Sequence, residues 1–286
     1  TCLESGKHCR RHQKLVPLYG FIKLSEVRAL LLAAGKGERL MPLTNDWPKC
    51  LMPIGHRPLL EFWLQTLHET GIRKVMVNMH HYVEKVEEFL LRPQFRSWVD
   101  SNYEENLLGT AGTLFANKSY FKGCTILLVH ADNWCQCDFS DFLDFHQLLR
   151  PDHCPITMMT FESPTPETCG IVETNADGVV LAFHEKSNNP PGNQANGAVY
   201  LLEPEVLNWI DEHTEIHDFS TEVIPHFMGY IATWNNNGIH RDIGALPILR
   251  LAQLDPQTTS CWPETDTWGK KFLSNPIHQQ IAQTVV

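Results

Sequence analysis

The stretch from Leu30 to Lys49, LLLAAGKGERLMPLTNDWPK, passes from an apolar run through two glycines into a group of cations. Gly35 and Gly37 permit a sharp turn and a close approach of backbone N–H groups to an anion. Lys36, Arg39 and Lys49 add positive charge within the same short span. A phosphate is the guest that such a loop fits. Two well-known phosphate loops do not describe it. The triphosphate loop G-x-x-x-x-G-K-[ST] is absent, and Leu40 stands where the dinucleotide fingerprint G-x-G-x-x-G needs its third glycine.

Two carboxylates are placed to work with that loop. ILLVHADNW drives an apolar run into Asp132. Ligands of open α/β sheets bind beyond the carboxyl ends of strands, so Asp132 is expected near Gly35 and Gly37; the competing reading is a cap on the next turn. NNNGIHRDIGA sets Asp242 ahead of Gly244, which by itself reads as turn chemistry. Taken together, two carboxylates converging on a phosphate loop suit Mg²⁺, a hard oxygen-seeking ion that bridges substrate phosphates. Lys186 in FHEKS reads alone as a solvated residue at a strand end. His80, His81 and His240 read as turn and loop residues rather than ligands. Cys2, Cys9 and His12 match no closed four-ligand zinc pattern.

These residues require a scaffold, and the hydrophobic periodicity describes one. An apolar strand begins at Leu30 and includes Ala33 and Ala34. It is followed by a helix over 57–71 stopping at Gly71, a strand over 72–80, a helix over 82–90 and a strand over 97–104. A helix over 110–121 opens directly after Gly109, a buried strand covers 124–133, and Asp138 or Ser140 caps a helix over 138–149. This alternation predicts a parallel sheet with helices on both faces. From 154 the pattern turns β-rich, with strands over 154–163, 169–187 and 196–204 and a hairpin turn at Asp177-Gly178. An amphipathic helix over 218–230, a strand entering a loop over 231–244 and a helix over 245–255 close the pattern. Residues 1–26 read as an appended arm, 27–255 as the folded domain, and 256–286 as a polar, loosely packed C-terminal extension. No internal repeat is present, and the lack of hexapeptide periodicity excludes a left-handed β-helix domain.

At 286 residues the chain can bury a full core, and 43% hydrophobic with 20% charged residues is an ordinary globular composition. A net charge of −10 argues against nucleic acid as a partner, because the phosphate backbone would be repelled. It leaves room for a small polyanion in a locally positive pocket. No apolar run approaches the ~20 residues of a membrane helix, and the amino end has no secretory apolar core. Nine irregularly spaced cysteines suit buried free thiols in a reducing cytoplasm.

The ordered blocks GKGERLMPLTNDWPK, LLGTAGTL, VHADN, EKSNNPPGNQANGAVY and RDIGA together resemble the sugar-1-phosphate nucleotidyltransferases, over Val27 to about Leu254. Glu38 departs from the family's small hydroxyl residue, and Ala131 replaces its usual glycine. The resemblance implies a Rossmann-like nucleotidyltransferase fold with a mostly parallel mixed sheet and a β-rich sugar-binding insertion. It implies that Ala33, Ala34, Gly35 and Gly37 wrap a nucleoside triphosphate, with Arg39 and Lys49 on its phosphates. Gly109, Thr110 and Gly112 would border the nucleobase. Asp132 and Asp242 would hold Mg²⁺, while Gly170, Glu185, Lys186 and Asn196 would take the sugar phosphate. The implied reaction is in-line attack of the sugar-1-phosphate on the α-phosphorus with loss of pyrophosphate, needing no protein nucleophile. The LLGTAG loop is similar to that of mannose-1-phosphate guanylyltransferases, and the short chain without a β-helix suits heptose-1-phosphate guanylyltransferases. GTP is therefore the expected donor, with UTP, CTP or dTTP as alternatives. The partners expected are small molecules, in a monomer or a homo-oligomer. A non-catalytic sugar-nucleotide-binding regulatory homologue remains as an alternative; it predicts a lost metal ligand or phosphate cation, whereas Arg39, Lys49, Asp132 and Asp242 are all present. A Rossmann oxidoreductase would keep the third glycine, where Leu40 stands.

Overall fold

β1 (Val27–Leu32) shows why the chain folds as a layered sheet: Ala29 and Leu31 enter one core, and Leu30 enters the other. The computed structural model describes residues 26–263 and 266–284; the proposed arm and its Cys2, Cys9 and His12 lie outside them, apart from Glu26. β2 (Pro53–Ile54) and β3 (Arg57–Pro58) form a small hairpin. β4 (Val75–Met79), β5 (Val99–Tyr103) and β6 (Thr125–His130) extend the parallel part of the sheet, β1 pairing with β4 and β6, and β4 with β5. β7 (Asn133–Gln136) turns away from it. β8 (Ile156–Glu162), β9 (Gly170–Thr174), β10 (Val180–Glu185), β11 (Gln194–Leu202) and β12 (Ile231–Asn235) complete nine strands in one sheet. Its main path is β10-β9-β11-β6-β1-β4-β5, and β11 joins the parallel half by pairing antiparallel with β6. β13 (Ile239–Asp242) pairs antiparallel with β7 as a separate ribbon. The β-rich segment is thus continuous with the parallel half, which is the mixed sheet expected.

Helices cover both faces. α1 (Leu59–Glu69) and α2 (Val83–Leu90) bring Trp63, Leu64, Leu67 and Phe89 onto one core. α3 (Thr110–Ala116) and α4 (Lys118–Phe121) place Leu114 and Phe121 on the other. α5 (Phe139–Asp144) is capped by Asp138, whose Oδ1 accepts from Asp141 N–H at 3.1 Å, and it runs into a π turn at Phe145–Leu149. α6 (Pro204–Glu212) is a helix that the sequence reading leaves unassigned; its proline at the first turn and buried Val206, Leu207 and Ile210 give it a helical face. A π turn at Phe219–Val223 leads into α7 (Ile224–His226), and α8 (Leu246–Leu254) follows β13. The segment 231–244 is two strands with a turn between them, not one strand and a loop.

The expectation of a loosely packed extension is corrected for residues 266–284. α9 (Thr267–Leu273) and α10 (Pro276–Thr284) dock on the domain. Trp268 and Phe272 join the core of Trp63 and Phe89, and Ile277 and Ile281 join that of Leu40 and Leu43. Arg92 fixes the join by donating to Glu61 at 2.7 Å and to Asp266 at 2.6 Å. Apolar anchors spaced among polar residues made this segment read as exposed.

Candidate functional site

The glycine loop leaves β1 at Leu32, and Ala33 N–H donates to Asn78 Oδ1 at 2.7 Å. Gly37 has φ of +67°, and a Cβ there would lie 2.9 Å from Thr44 Cγ2, so only glycine fits. Thr44 Oγ1 donates back to Gly37 O at 2.9 Å and closes the turn. At Gly35 a Cβ would meet nothing within 4 Å, which leaves that side of the loop bare. Leu40 and Leu43 are buried and anchor the loop, while Glu38 and Arg39 face outward. Glu38 is exposed at the mouth of the cleft, where water solvates its carboxylate. Lys36, Gly37, Glu38, Arg39, Lys49, Leu107, Asp132 and Gly244 line an open cleft of about 440 Å³.

At the base of the cleft the Lys49 ammonium, on a side chain only 5% exposed, donates to Asp132 Oδ2 at 2.6 Å and to Asp242 Oδ1 at 3.1 Å. Asp132 follows the C-terminal end of β6, as the strand-end rule requires. Asp242 arrives through the β7–β13 ribbon, where it stands opposite Asn133. Its Oδ2 also accepts from Arg39 Nη2 at 3.0 Å, and its Oδ1 from Gly244 N–H at 2.9 Å. Burial works to raise the Asp242 pKa, but Lys49 and Arg39 outweigh it and hold the carboxyl down at about 2. Burial likewise works against the Lys49 charge, yet Asp132 and Asp242 raise its pKa above the ordinary lysine value. The four residues Arg39, Lys49, Asp132 and Asp242 are thus one charged cluster. Two carboxylates from separate elements provide oxygen donors of the kind Mg²⁺ accepts, with water and substrate phosphates left to supply the rest of its shell. Among the described residues, no group of three or more His, Cys, Asp or Glu could hold a metal.

The second loop lies at the edge of the same cleft, through Leu107. Gly109 has φ of +80°, and a Cβ there would run into the His217 carbonyl. That carbonyl accepts from Ala111 N–H at 2.9 Å and Gly112 N–H at 3.3 Å. Thr110 Oγ1 accepts from Phe219 N–H at 2.6 Å. Gly109, Thr110 and Gly112 therefore seat the 217–219 segment against α3. His217 is a neighbour of this loop that sequence reasoning missed, because only the tertiary fold brings it there.

The remaining expected residues lie along the same sheet edge. β11 runs antiparallel to β6, with Val199 opposite Val129, so Asn196 falls beyond the C-terminal end of β6. Asn196 donates to Tyr200 Oη at 2.6 Å and accepts from Ala198 N–H at 2.9 Å, shaping a bulge. His240 Nε2–H supports the bulge by donating to Gly197 O at 2.8 Å; burial pulls the His240 pKa down to about 4, so its ring is neutral near pH 7. Gly170 pairs with Glu185, and a Cβ on it would press on Phe183 and on Glu185 Oε2. Lys186 stands apart from the Lys49 cluster: it is 69% exposed, has φ of +46° and pairs with Glu185 at 3.2 Å. Sequence reasoning also missed Asn78 and Glu104. Glu104 ends β5 as Asp132 ends β6, and the same rule would have singled it out.

A sequence profile described as Nucleotidyl transferase matches residues 28–255. The chain is 29% identical over 215 residues to the UTP–glucose-1-phosphate uridylyltransferase of Synechocystis sp., covering 70% of this chain and 54% of that one. It is 28% identical over 228 residues to the mannose-1-phosphate guanylyltransferase of Mycobacterium tuberculosis, covering 76% and 62%. The chain thus spans between half and two thirds of the length of these curated relatives. A Bacillus anthracis crystal structure, described as a glucose-1-phosphate thymidylyltransferase with a sucrose, superposes with a TM-score of 0.72 at 20% identity over 82% of this chain and 97% of that one. The fold is shared with it. On the match to residues 28–255, the chain belongs to the nucleotidyl transferase family.

Proposed function

We propose that the chain transfers a nucleotidyl group from a nucleoside triphosphate, GTP by preference, to a mannose- or heptose-like sugar-1-phosphate. The observation that carries this reading is the convergence of Arg39, Lys49, Asp132 and Asp242 on one glycine-lined cleft. An oxygen of the sugar-1-phosphate attacks the α-phosphorus; the new O–P bond forms as the bond to the β-phosphate bridging oxygen breaks, and pyrophosphate leaves. Backbone groups of Ala33 to Gly37 orient the triphosphate, and Arg39 and Lys49 stabilise its charge. Asp132 and Asp242 would hold Mg²⁺, which when bound neutralises phosphate charge. Gly170, Glu185, Lys186 and Asn196 would take the sugar phosphate, with Lys186 exchanging its Glu185 partner for the phosphate. Free thiols suit a reducing cytoplasm as the working compartment.

The relatives are named for guanylyl, uridylyl and thymidylyl transfer, so the base rests on the loop LLGTAG. The test is pyrophosphate release with GTP, ATP, UTP, CTP and dTTP against a panel of sugar-1-phosphates in Mg²⁺. GTP is expected to lead by about tenfold or more in kcat/KM, since a buried polar group left unpaired by the wrong base is costly. UTP or CTP as best donor would remove the base assignment and leave the reaction. Tight sugar-nucleotide binding without any pyrophosphate release would make the chain a regulatory homologue.

A further inference from the structure

Beneath the cleft lies a hydrogen-bonded group that makes none of the contacts assigned to substrate. Asn78, Glu104 and Thr113 are 3%, 4% and 1% exposed. The Asn78 carbonyl accepts from Ala33 N–H at 2.7 Å, at the first residue of the glycine loop. Its amide then donates to Glu104 Oε1 at 3.2 Å, so both ends of the side chain are committed and its orientation is set. Glu104 Oε1 also accepts from Thr113 Oγ1 at 2.5 Å, and Oε2 accepts from Leu108 N–H at 3.3 Å. Leu108 and Thr113 flank Gly109 to Gly112. His80 Nδ1–H donates to the Glu104 carbonyl at 2.9 Å and holds its backbone as well. One carboxylate and one amide thereby tie the end of β1 to the second loop across β4 and β5.

We infer that Asn78, Glu104 and Thr113 are positioning residues that fix the spacing between the phosphate loop and the second loop. This rests on the reading that one nucleoside triphosphate spans both loops, phosphates at Gly35–Gly37 and base at Gly109–Gly112. A ligand held at both ends is sensitive to that spacing, whereas the sugar phosphate, bound along β9 to β11, is not. Glutamine at 104 keeps the shape but presents an NH₂ group where only acceptors serve, because Asn78 and Leu108 both donate. Valine at 113 keeps the volume and removes the hydroxyl.

The test compares Glu104→Gln, Thr113→Val and Thr113→Ser with the wild type by thermal midpoint, equilibrium binding of GTP and UTP, and KM for each substrate. Glu104→Gln and Thr113→Val are expected to weaken nucleotide binding and raise the nucleotide KM about tenfold, with the KM for sugar-1-phosphate within about twofold. Thr113→Ser is expected to restore both. A lowered midpoint with the two KM values moving together, or unchanged nucleotide affinity in both variants, overturns the relay. Binding keeps this separate from the reaction. A wild type that binds nucleotide but releases no pyrophosphate sinks the transferase reading, while the variants' affinities still decide the relay. A wild type that binds neither nucleotide overturns both.

Discussion

Lys49 is the residue on which the charged cluster turns. Its ammonium is almost excluded from water, while Asp132 and Asp242 remain 32% and 51% exposed. An ion pair of this kind is cheaper to break than a fully buried one, because the abandoned carboxylates are rehydrated. Lys49→Met is therefore expected to cost only about 1–2 kcal/mol in urea unfolding, and to reduce turnover by about a hundredfold or more. Loss of turnover in proportion to stability alone would rule out a phosphate-binding role. Asp132→Ala and Asp242→Ala are each expected to abolish turnover with the far-UV spectrum unchanged, since each removes a candidate Mg²⁺ ligand. Near-normal rates at saturating Mg²⁺ would sink that assignment. Asp242 also predicts a pH dependence. Its folded pKa is about 2 against an ordinary 3.8, so the unfolded chain takes up its proton first. The stabilisation it provides is present above 3.8 and is lost as pH falls towards about 2. Acid unfolding of Asp242→Asn is expected to be shallower in that window, by a modest amount because half the side chain meets water.

At the scale of elements, the β7–β13 ribbon brings together carboxylates that the sequence holds far apart. It is anchored by Asp255, which takes two bonds of 2.6 Å from Arg241 and one of 2.9 Å from Trp134 Nε1. Removing that carboxylate leaves an unpaired guanidinium and a buried indole N–H. Asp255→Ala is expected to lower the unfolding free energy by about 2–4 kcal/mol and to reduce turnover through a displaced Asp242. Unchanged stability would show that water replaces the carboxylate. The ribbon also marks the limit of what the sequence discloses. Strand β1, the glycine loop and Asp132 were legible because apolar runs and strand-end polarity are local signals. Asp242 was legible as a turn carboxylate that could work with Asp132, but the pairing of 133–136 with 239–242 that brings the two together leaves no local trace. His217 and Asn78 were hidden for the same reason: their partners are distant in the chain. Helix α6 has local signals too, a proline in its first turn and an apolar face of Val206, Leu207 and Ile210.

Across the whole molecule, ionic, aromatic and aliphatic contacts hold the C-terminal helices to the domain. One is the Arg92–Glu61–Asp266 network, in which Glu61 also takes a 2.8 Å bond from Arg57. Another is aromatic, with Trp268 4.9 Å from Phe89 and Phe272 6.0 Å from Trp47 between ring centroids. Arg92→Ala is expected to destabilise by about 3 kcal/mol, as the loss of one partner in a buried charge network does. Because α10 packs on the same cluster as Leu40 and Leu43, removal of residues 267–284 is expected to weaken nucleotide binding as well as stability. A truncated chain with normal nucleotide affinity would show that the helices only cover the domain.

The contact of Ile277 and Ile281 with Leu40 and Leu43 also bears on the order in which the protein is made. The glycine loop is made before this part of its apolar backing, which follows roughly 230 residues later. At ribosomal rates of about 5–20 residues per second, Leu40 and Leu43 wait about 10–50 s without it. Over that interval Leu40 and Leu43 have only the nearer members of their cluster, Met52, Ile54, Leu59 and Phe62 among them, to pack against. The helix that packs behind the loop thus leaves the ribosome long after the loop itself.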